Sequence, residues 1–417
     1  MTNVGQNPIA VRDAQDRILA PLPQGLGEED LPLALAGGRV AAQALRSPLA
    51  IPPFANSAVD GYALRGLRLL EGESAVLRLI GRSAAGRPYD GPALAAGEAL
   101  RILTGAVVPP GADAVVMQEQ TRLTDERLEL RGPVGAGDHI RLAGSDLSAE
   151  APILAAGDQL HPARVALLAA AGRTAARVHR KVRVAVFATG DELRPAGEAL
   201  EPGQIHESNR ALLLGLLQAP WLSTLDLGIV PDDPALLSRT LSLAAAEADV
   251  IVTSGGVSVG DTDHMPRLVQ ELGRLDLWKV AVKPGKPLAV GSLGDCRYFG
   301  LPGNPVSAAV TLLIFVLPAL RRLAGLPDPL PRLWPVRLRD ALPRRPGREE
   351  YLRARWVAGP AAAGEPWAVA LSGQASHQLT GMAAADCLLR VAADRGDLPA
   401  GSMVEALPLP WSRGLTA

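Results

Sequence analysis

Residues 181–324 alternate short apolar runs with segments of helical spacing, and this alternation constrains the fold more than any other feature of the chain. The apolar runs are VRVAVFATG, STLDLGIV and DVIVTSGG, and the helical segments after them are NRALLLGLLQA, DPALLSRTLSLAAAEA and DHMPRLVQELG. Strands that alternate with helices form a parallel sheet whose two faces the helices cover. The pattern therefore predicts a central α/β domain.

Other parts of the chain have different patterns. The start of the chain and residues 145–177 have helical spacing, which predicts helices there. Residues 51–144 hold many short apolar runs separated by Gly, Pro and Asp, which predicts a small β-rich domain. After a Pro-rich hinge at 324–335 the chain returns to short strands, which predicts a second β domain at its end. The sequence thus predicts a multidomain protein of the α/β plus β class.

The composition argues against several classes of function. Lys and Arg number 42 against 43 Asp and Glu, for a formal net charge of -1, so nucleic acid and anionic membranes are not expected partners. Aromatic residues make up only 3% of the chain, which disfavours a base-stacking surface. Cys296 and Cys387 are the only cysteines, so the chain has no disulfide framework and no cysteine-rich metal site.

The sequence also predicts a cytoplasmic location. The polar N-terminal stretch lacks the basic start and apolar core of a signal peptide. The most apolar segment, at 306–320, is shorter than the ~20 residues that span a bilayer and contains Pro318. A buried helix is the better interpretation of that segment.

Four segments leave the predicted sheet in polar or glycine-rich loops, namely FATGDEL, TSGGVSVGDTD, VKPGKP and GLPGNPVS. Ligands of open parallel sheets bind beyond the carboxyl ends of the strands. Glycines let the backbone approach an anion closely, and helix N-termini offer it unpaired N–H groups. Carboxylates beside such an anion make sense when a divalent metal bridges them. The loops therefore predict a phosphate-bearing ligand, with Asp261 and Asp263 serving a metal.

Each loop alone has a plainer interpretation. Gly255 and Gly256 are typical of a tight turn, and Asp261 and Asp263 are about equally typical of a helix cap. The chain has no G-x-x-x-x-G-K-[ST] loop and no G-x-G-x-x-G fingerprint, which disfavours Walker ATPases and dinucleotide enzymes. It has no zinc-ligand spacing and no G-x-S-x-G elbow. The convergence of four loops on one sheet edge favours the functional interpretation.

Seven motifs occur in order between about residues 9 and 410: NSAVDGYAL, TGAVVPPGADAVV, GSDLSA, FATGDEL, TSGGVSVGDTD, WKVAVKPGKP and GLPGNPVSA. Together they resemble the molybdopterin molybdenumtransferases, the MoeA-type family that includes the E domain of gephyrin. The resemblance implies a central parallel α/β molybdopterin-binding domain with an inserted β domain, a helical N-terminal segment and a C-terminal β domain. The implied boundaries are 1–50 with 145–177 for the discontinuous helical domain, 51–144 for the insertion, 178–326 for the α/β domain and 329–417 for the C-terminal domain.

The reaction implied by the resemblance is insertion of molybdate into adenylylated molybdopterin, with Mg²⁺-dependent release of AMP. Molybdate is a substrate and Mg²⁺ the cofactor. Family members are homodimers whose cleft lies between the α/β domain of one subunit and the inserted region of the other, so Asp60 is expected to reach the partner's cleft. A molybdopterin adenylyltransferase that hands over the substrate is a further expected partner.

The resemblance also implies roles for individual residues. The expected catalytic residues are Asp60, Asp146, Glu192, Asp232, Asp263, Lys279 and Lys283. The expected metal ligands are Glu192, Asp261 and Asp263. The expected molybdate ligands are Lys286, Ser307, Arg353 and Ser376. The residues expected to line the pterin phosphate and nucleotide are Gly255, Gly256, Ser258 and Asn304, and Thr104 is a further substrate-binding candidate.

Two alternative functions remain open at this point. A molybdopterin adenylyltransferase would use a related α/β domain, but it leaves the inserted and C-terminal domains unexplained. A non-catalytic scaffold that binds pterin or partner peptides would not require the carboxylate and lysine set, which is intact here.

Overall fold

The computed structural model describes residues 8–256, 264–359 and 365–412. Within these ranges the strands form three six-stranded sheets and four two-stranded sheets. The first elements are α1 (Val11–Leu19), β1 (Glu28–Pro32), α2 (Leu33–Ala36) and β2 (Leu45–Arg46). The inserted region holds β3 (Asn56–Ser57), β4 (Gly61–Leu64), β5 (Ser74–Ser83), β6 (Glu98–Ile102), β7 (Ala114–Met117), β8 (Thr121–Thr124), β9 (Arg127–Arg131) and β10 (Ile140–Arg141), with a 3-10 turn at Gln118–Gln120. The chain then returns through β11 (Pro152–Leu154), α3 (Pro162–Ala170) and β12 (Ala175–His179).

The inserted region is β-rich, as the sequence pattern predicts. Its six-stranded sheet has the order β7-β4-β6-β5-β9-β8. The sequence of strand β9 explains why it forms a strand. Leu128 and Leu130 are buried, and the residues that alternate with them, Arg127, Glu129 and Arg131, are exposed. Alternation with a period of two places one face of a strand on the core and the other in water.

The N-terminal unit contains the expected helices α1, α2 and α3, and in addition two pairs of strands. Strand β1 pairs with β12, and β2 pairs with β11, both antiparallel, while α2 and α3 are short. Arg177 on β12 makes ion pairs with Glu28 and Asp30 on β1. Partners on neighbouring strands are nearly 150 positions apart in the chain, so local helical spacing did not indicate them.

Helix α1 packs on the α/β domain. Its apolar side, formed by Val11, Ala14 and Ile18, is buried in one core with Ile314 and Leu320. The start of the chain therefore packs against the α/β domain, whose sequence pattern begins 170 residues later, at residue 181.

The α/β domain contains the largest part of the core. Its elements are β13 (Val182–Thr189), β14 (Leu193–Arg194), β15 (Ile205–His206), α4 (Asn209–Leu216), β16 (Leu222–Val230), α5 (Pro234–Glu247), β17 (Val250–Ser254), α6 (Met265–Leu272), β18 (Arg274–Lys279), β19 (Val282–Lys283), β20 (Pro287–Leu293), β21 (Cys296–Leu301), α7 (Pro305–Thr311) and α8 (Leu317–Leu323). A π-helical turn at Leu312–Val316 joins α7 to α8. Two cores lie on the two faces of the sheet: Val184, Val186 and Val252 face one, and Ala185, Phe187 and Ile251 face the other.

The central sheet has the strand order β16-β13-β17-β21-β20-β18. The first four strands are parallel, which confirms the predicted architecture, and β20 runs antiparallel to both of its neighbours. The connections around β20 are short and contain no helix, and short connections join antiparallel strands. As a result β18 runs in the same direction as the parallel strands.

The apolar segment at Pro305–Leu323 is the one helix, within the described ranges, that is long and apolar enough to cross a membrane, and 83% of it is buried inside the protein. Such burial is typical of a core helix, as the sequence analysis expects.

The C-terminal domain is a closed β structure. It contains β22 (Trp334–Leu338), β23 (Glu349–Val357), β24 (Trp367–Ala370), α9 (Leu379–Ala383), β25 (Cys387–Val391) and β26 (Met403–Pro408). The strands follow the order β23-β24-β22-β26-β25, and β25 pairs back with β23, so they form a barrel. Strand β19 of the α/β domain adds to it by pairing with the start of β23.

Candidate active site

The central sheet brings five chain segments to one edge. Strands β13, β16, β17, β18 and β21 all run in the same direction, so their carboxyl ends meet there, and β20 begins at the same edge. The segments after these ends are 190–192, 231–233, 255–256, 279–286 and 302–304. Of the candidate residues, these segments contain Glu192, Asp232, Gly255, Gly256, Lys279, Lys283, Lys286 and Asn304. The described residues therefore show the convergence that the four loops predict.

Asp232 is held at the ends of two neighbouring strands. The hydroxyl of Thr189, at the end of β13, donates a hydrogen bond to its carboxylate, and Thr189 is only 4% exposed. The backbone N–H of Asp232 in turn donates to the carboxylate of Asp191 at 3.2 Å. Asp232 is half-buried, so its carboxylate is fixed on one side and accessible on the other.

Glu192 lies on the same side of the sheet. Its backbone carbonyl accepts from the N–H of Ile205, which pairs the loop with β15. Its carboxylate folds back over Gly190, since a Cβ at position 190 would lie 2.5 Å from Oε2 of Glu192. A side chain at position 190 would collide with the carboxylate of Glu192, so glycine is needed there for this arrangement.

The turn after β17 comes close to β13. Gly255 has a φ of 89°, and a Cβ on it would lie 2.4 Å from the carbonyl oxygen of Thr189. No other residue fits this close approach of two backbones without displacement. Gly256 follows in the left-handed region at 67°. The predicted ligands Ser258, Asp261 and Asp263 lie outside the described residues.

Asn209, at the start of α4, connects two of the loops, and the sequence analysis did not select it. Its side-chain amide donates to the hydroxyl of Ser254 at 2.7 Å and to the carbonyl of Gly303 at 2.6 Å. One amide group thus fixes the end of β17 relative to the loop before α7. The signal available in the sequence was a polar residue at a helix start, which is typical of a cap and did not indicate this bridge.

The three lysines are distributed along the segment from β18 to β20. Lys279 ends β18, Lys283 lies in β19 and Lys286 precedes β20. Lys283 is 46% exposed, and its ammonium group lies 3.4 Å from the carboxylate of Glu350. The pairing of β19 with β23 sets this contact, because it places Lys283 beside Glu350.

The start of α7 lies between the lysine segment and the C-terminal domain. A Cβ on Gly285 would lie 3.6 Å from the backbone oxygen of Ser307. The N–H of Val306 donates to the backbone oxygen of Ser376 at 3.1 Å. Ser307 is buried and Asn304 is exposed. The structure therefore brings the segments of Lys286, Ser307 and Ser376 together.

Arg353 has a different environment from the one expected of an anion ligand. It is only 1% exposed, and its guanidinium group donates to the carbonyls of Gly373, Ala375 and Gln378 and to the side chain of Gln374. Burial lowers the pKa of Arg353 from its ordinary value. Four of its five N–H groups are used inside the domain, so the geometry fits a residue that holds the loop carrying Ser376.

The inserted domain carries a separate polar group. The carboxylate of Asp60 accepts hydrogen bonds from the backbone N–H and the hydroxyl of Thr104, both at 2.7 Å. These bonds, first the backbone one, lower the pKa of Asp60, and the charge of Arg101 acts in the same direction. Arg101 lies over the ring of Tyr62, 5.0 Å from its centroid, and donates to Gln118. Asp60 is therefore an ionised carboxylate at an accessible position.

Asp146 is exposed, and its backbone N–H donates to the carbonyl of Ile51 at 3.0 Å. The structure thus places it where the chain leaves the inserted domain, next to the point where the chain enters it.

In the described part of the chain the carboxylates are not close enough together to form a complete metal-binding site. Within residues 8–256, 264–359 and 365–412, no group of three or more His, Cys, Asp or Glu side chains is arranged to hold a metal ion. Asp191, Glu192 and Asp232 offer oxygen ligands, the type that Mg²⁺ prefers.

Comparisons with known proteins give a consistent result over nearly the whole chain. Residues 9–172 match the MoeA N-terminal region (domains I and II), residues 185–322 match the probable molybdopterin binding domain, and residues 335–409 match the MoeA C-terminal region (domain IV).

Two relatives and one solved structure illustrate the similarity. The chain is 35% identical over 409 residues to the molybdopterin molybdenumtransferase of Haemophilus influenzae, covering 96% of this chain and 98% of the relative. It is 38% identical over 355 residues to the enzyme of the same name from Nostoc sp., covering 82% and 81%. The crystal structure of the molybdopterin biosynthesis MoeA protein from Pyrococcus horikoshii OT3 superposes with a TM-score of 0.82 at 28% identity, covering 97% of this chain and 100% of that one.

Proposed function

The chain belongs to the molybdopterin molybdenumtransferase family, and from this premise we propose how its residues carry out the reaction. It is a transferase of molybdenum cofactor biosynthesis that inserts molybdate into molybdopterin. The observation that carries the proposal is the convergence of five segments, bearing carboxylates, glycines and lysines, at one edge of the central sheet. The adenylyltransferase alternative is not favoured, because the family match extends over both the inserted and C-terminal domains.

The substrate is adenylylated molybdopterin, and AMP leaves when molybdate enters. Molybdate is a dianion and the pyrophosphate of the substrate is also negative, so the enzyme has to bring like charges together. Fixed positive groups at the position where charge develops make the largest contribution to such a reaction. Lys279 and Lys283, at the end of β18 and in β19, are the groups that supply this charge, and Lys286 with Ser307 and Ser376 binds molybdate.

The glycine turns bind the phosphates. Gly255 and Gly256 form a turn without side chains beside the end of β13, where the N–H of Gly255 donates to the carbonyl of Leu301, and Asn304 stands at the N-cap of the long helix that follows β21. Both features favour an anion held against the backbone. Arg353 acts as a positioning residue that shapes the loop of Ser376, and Thr104 positions Asp60.

Mg²⁺ is the cofactor of the proposed reaction. The residues that would hold it are Glu192 and Asp232, with Asp261 and Asp263 from the segment after β17. Held there, Mg²⁺ would supply positive charge that offsets the negative charge of the phosphate groups during the reaction. Thr189 supports the fit, since its hydroxyl orients the carboxylate of Asp232 without neutralising it.

The working unit is a homodimer with the cleft between subunits. The hydrogen bonds of the Asp60 side chain described above all lie within the inserted domain, to Thr104. Asp60 nevertheless is ionised and accessible, as a residue that completes a second subunit's cleft has to be. Asp146, at the base of the same domain, takes part in the same cleft.

The enzyme works in the cytoplasm, and it receives adenylylated molybdopterin from a molybdopterin adenylyltransferase that docks on it.

The test of the proposed function compares two neighbouring aspartates. The Asp232→Asn variant loses the carboxylate at the sheet edge, so AMP release from adenylylated molybdopterin, with Mg²⁺ and molybdate, should fall at least ~100-fold, the scale of losing an electrostatic catalytic group. Asp233 is the matched control, because its carboxylate caps α5 by accepting from the N–H of Leu236. Asparagine is an equally good cap, so Asp233→Asn should release AMP at the wild-type rate.

The outcomes separate the functions. Molybdate-dependent AMP release that Asp232→Asn loses and Asp233→Asn keeps supports the proposal. A folded wild-type protein that binds the substrate but releases no AMP would overturn it and favour a scaffold.

A further inference from the structure

A pocket with mostly basic lining lies at the opposite edge of the central sheet from the active-site loops. It has a volume of about 550 Å³. Its lining residues, here called the basic pocket, are Glu29, Arg39, Arg180, Lys181, Arg183 and Ser223. Strand β13 begins at Val182 and β16 begins at Leu222, so the pocket lies at the amino ends of these strands. It is therefore separate from the proposed molybdate site.

Arg39 enters the basic pocket as a buried charged group that is only partly satisfied. It is 5% exposed, and its guanidinium group donates to the carboxylate of Glu29 and, at 2.7 Å, to the carbonyl of His179. Its Nε is buried with no hydrogen-bond partner among the described residues. This Nε is enclosed by the protein, so Arg39 contributes its positive charge to the basic pocket and not a free donor.

Arg180 and Arg183 are fixed by Asp249. Arg180 binds both carboxylate oxygens, at 2.7 and 2.8 Å, and Arg183 donates to one of them at 3.2 Å. Burial alone would raise the pKa of Asp249, but the hydrogen bonds from Arg180 and Arg183 lower it to about 2. Asp249 is thus always ionised near neutral pH and holds two guanidinium groups at the pocket, which leaves fewer of their rotamers to be lost on binding.

The remaining cationic groups are open to solvent. The side chain of Arg183 is 49% exposed. Lys181 is exposed, and its ammonium group has no partner in the part of the chain that the structure describes. The hydroxyl of Ser223 is an additional donor at the same rim.

The charges of the basic pocket do not balance. Arg39, Arg180, Lys181 and Arg183 supply four positive charges, and among the described residues Glu29 and Asp249 are the two carboxylates that contact them. Two positive charges remain, which matches a dianion. An arginine guanidinium group can form two parallel hydrogen bonds to phosphate oxygens. The carboxylates of Glu29 and Asp249 would repel an extended polyanion, which disfavours nucleic acid as the ligand.

We propose that the basic pocket binds a dianionic phosphate group, as free phosphate or as the phosphate of a small monoester. The volume exceeds what a bare phosphate fills and leaves room for an attached organic group. The ligand lies between β1 and the start of β13, so its binding joins the N-terminal unit to the α/β domain.

The experiment measures binding of two probes to the full chain by isothermal titration calorimetry at constant ionic strength. Inorganic phosphate tests the bare dianion, and glycerol 3-phosphate tests the monoester. The Lys181→Ala and Arg183→Ala variants should each weaken binding by about 10-fold, because each loses a charge-assisted contact. Arg239→Ala is the matched control, since Arg239 is an exposed arginine on α5 outside the pocket, and it should bind like the wild type.

A fourth variant, Lys283→Ala, distinguishes the two edges of the sheet. Phosphate binding that Lys283→Ala keeps and Lys181→Ala loses supports the proposal, and preference for either probe identifies the source of the phosphate group. The proposal is overturned if the wild type shows no saturable binding of either probe, or if Lys283→Ala alone abolishes it. It is equally overturned if Lys181→Ala and Arg239→Ala bind alike. Circular dichroism verifies that each variant is folded. If Arg183→Ala does not fold, the binding measured with Lys181→Ala decides between the outcomes, because the side chain of Lys181 is exposed.

Discussion

Thr104 shows how one residue keeps a neighbouring carboxylate, that of Asp60, in its ionised form. Its backbone N–H and its hydroxyl both donate to Asp60, and these bonds lower the pKa of that carboxyl group. Hydrogen bonds to the charged form of an acid favour ionisation. Thr104 is also exposed, so this arrangement lies at the surface of the inserted domain.

The Thr104→Val variant should therefore change the pH dependence of the reaction. Removing the hydroxyl takes one stabilising hydrogen bond from ionised Asp60, so the pKa of Asp60 rises and the acidic limb of the kcat/KM profile moves to higher pH. Thr104→Ser keeps the hydroxyl and should retain the wild-type profile. Because the pKa of Asp60 lies below its ordinary value of 3.8, the measurement is AMP release from about pH 2.5 to 6, and superimposable profiles of Thr104→Val and wild type would contradict the role given to this hydroxyl.

At the scale of elements, the long helix Pro305–Leu323 depends on a residue from the start of the chain. Pro318 has no N–H to donate to the carbonyl four residues before it, which is that of Ile314. The side chain of Gln15 on α1 donates to this carbonyl at 3.0 Å, and Gln15 is 8% exposed. The π-helical turn at Leu312–Val316 occurs at the same place. A helix interrupted by proline is thus completed by another element.

The Gln15→Leu variant tests this contact. It keeps the size of the side chain approximately but removes the donor, so the free energy of unfolding should fall by about 1 kcal/mol, the usual net value of a buried hydrogen bond. Arg17→Ala lies on the exposed side of the same helix and serves as the control. Urea unfolding followed by tryptophan fluorescence measures both, and equal midpoints for Gln15→Leu and Arg17→Ala would show that the bond contributes nothing.

At the scale of the whole molecule, the site is assembled from distant parts of the chain. Strand β19 adds to the C-terminal barrel and brings Lys283 to Glu350, while Val306 donates to the backbone of Ser376. The C-terminal domain therefore forms one wall of the proposed molybdate site. The proposed dimer adds the inserted domain of a second subunit.

Mixed dimers test that arrangement. Asp60→Asn and Asp232→Asn are each expected to inactivate the enzyme, but in a mixed dimer one of the two clefts contains only wild-type residues if Asp60 comes from the partner. With random pairing, about a quarter of the wild-type activity should return, because half of the dimers are mixed and one cleft in each is intact. The measurement is AMP release from co-expressed, differently tagged chains. No recovery in isolated mixed dimers would mean that both aspartates act within one subunit.

The sequence by itself determined the central α/β architecture and identified the loops that form the candidate active site. The alternation of apolar runs with helical segments predicts the α/β sheet, and the small polar residues at the strand ends predict the site at its edge, because both signals are local in the chain. The family resemblance likewise depended on seven short motifs in order. The roles of Asp60, Lys283 and Asp263 stay predictions.

Only the tertiary structure decided what depends on distant partners. It turned β20 antiparallel, added strands such as β1 and β12 to the N-terminal unit in which helices were expected, and showed Arg353 bonded to a loop inside the barrel domain. It also revealed the bridge by Asn209 and the basic pocket around Arg39. The direction of β20 follows from the short connections on either side of it. The strand pairs of the N-terminal unit, the bridge by Asn209 and the basic pocket depend on contacts between residues far apart in the chain, and the spacing of residues within one segment carries no information about a partner in another.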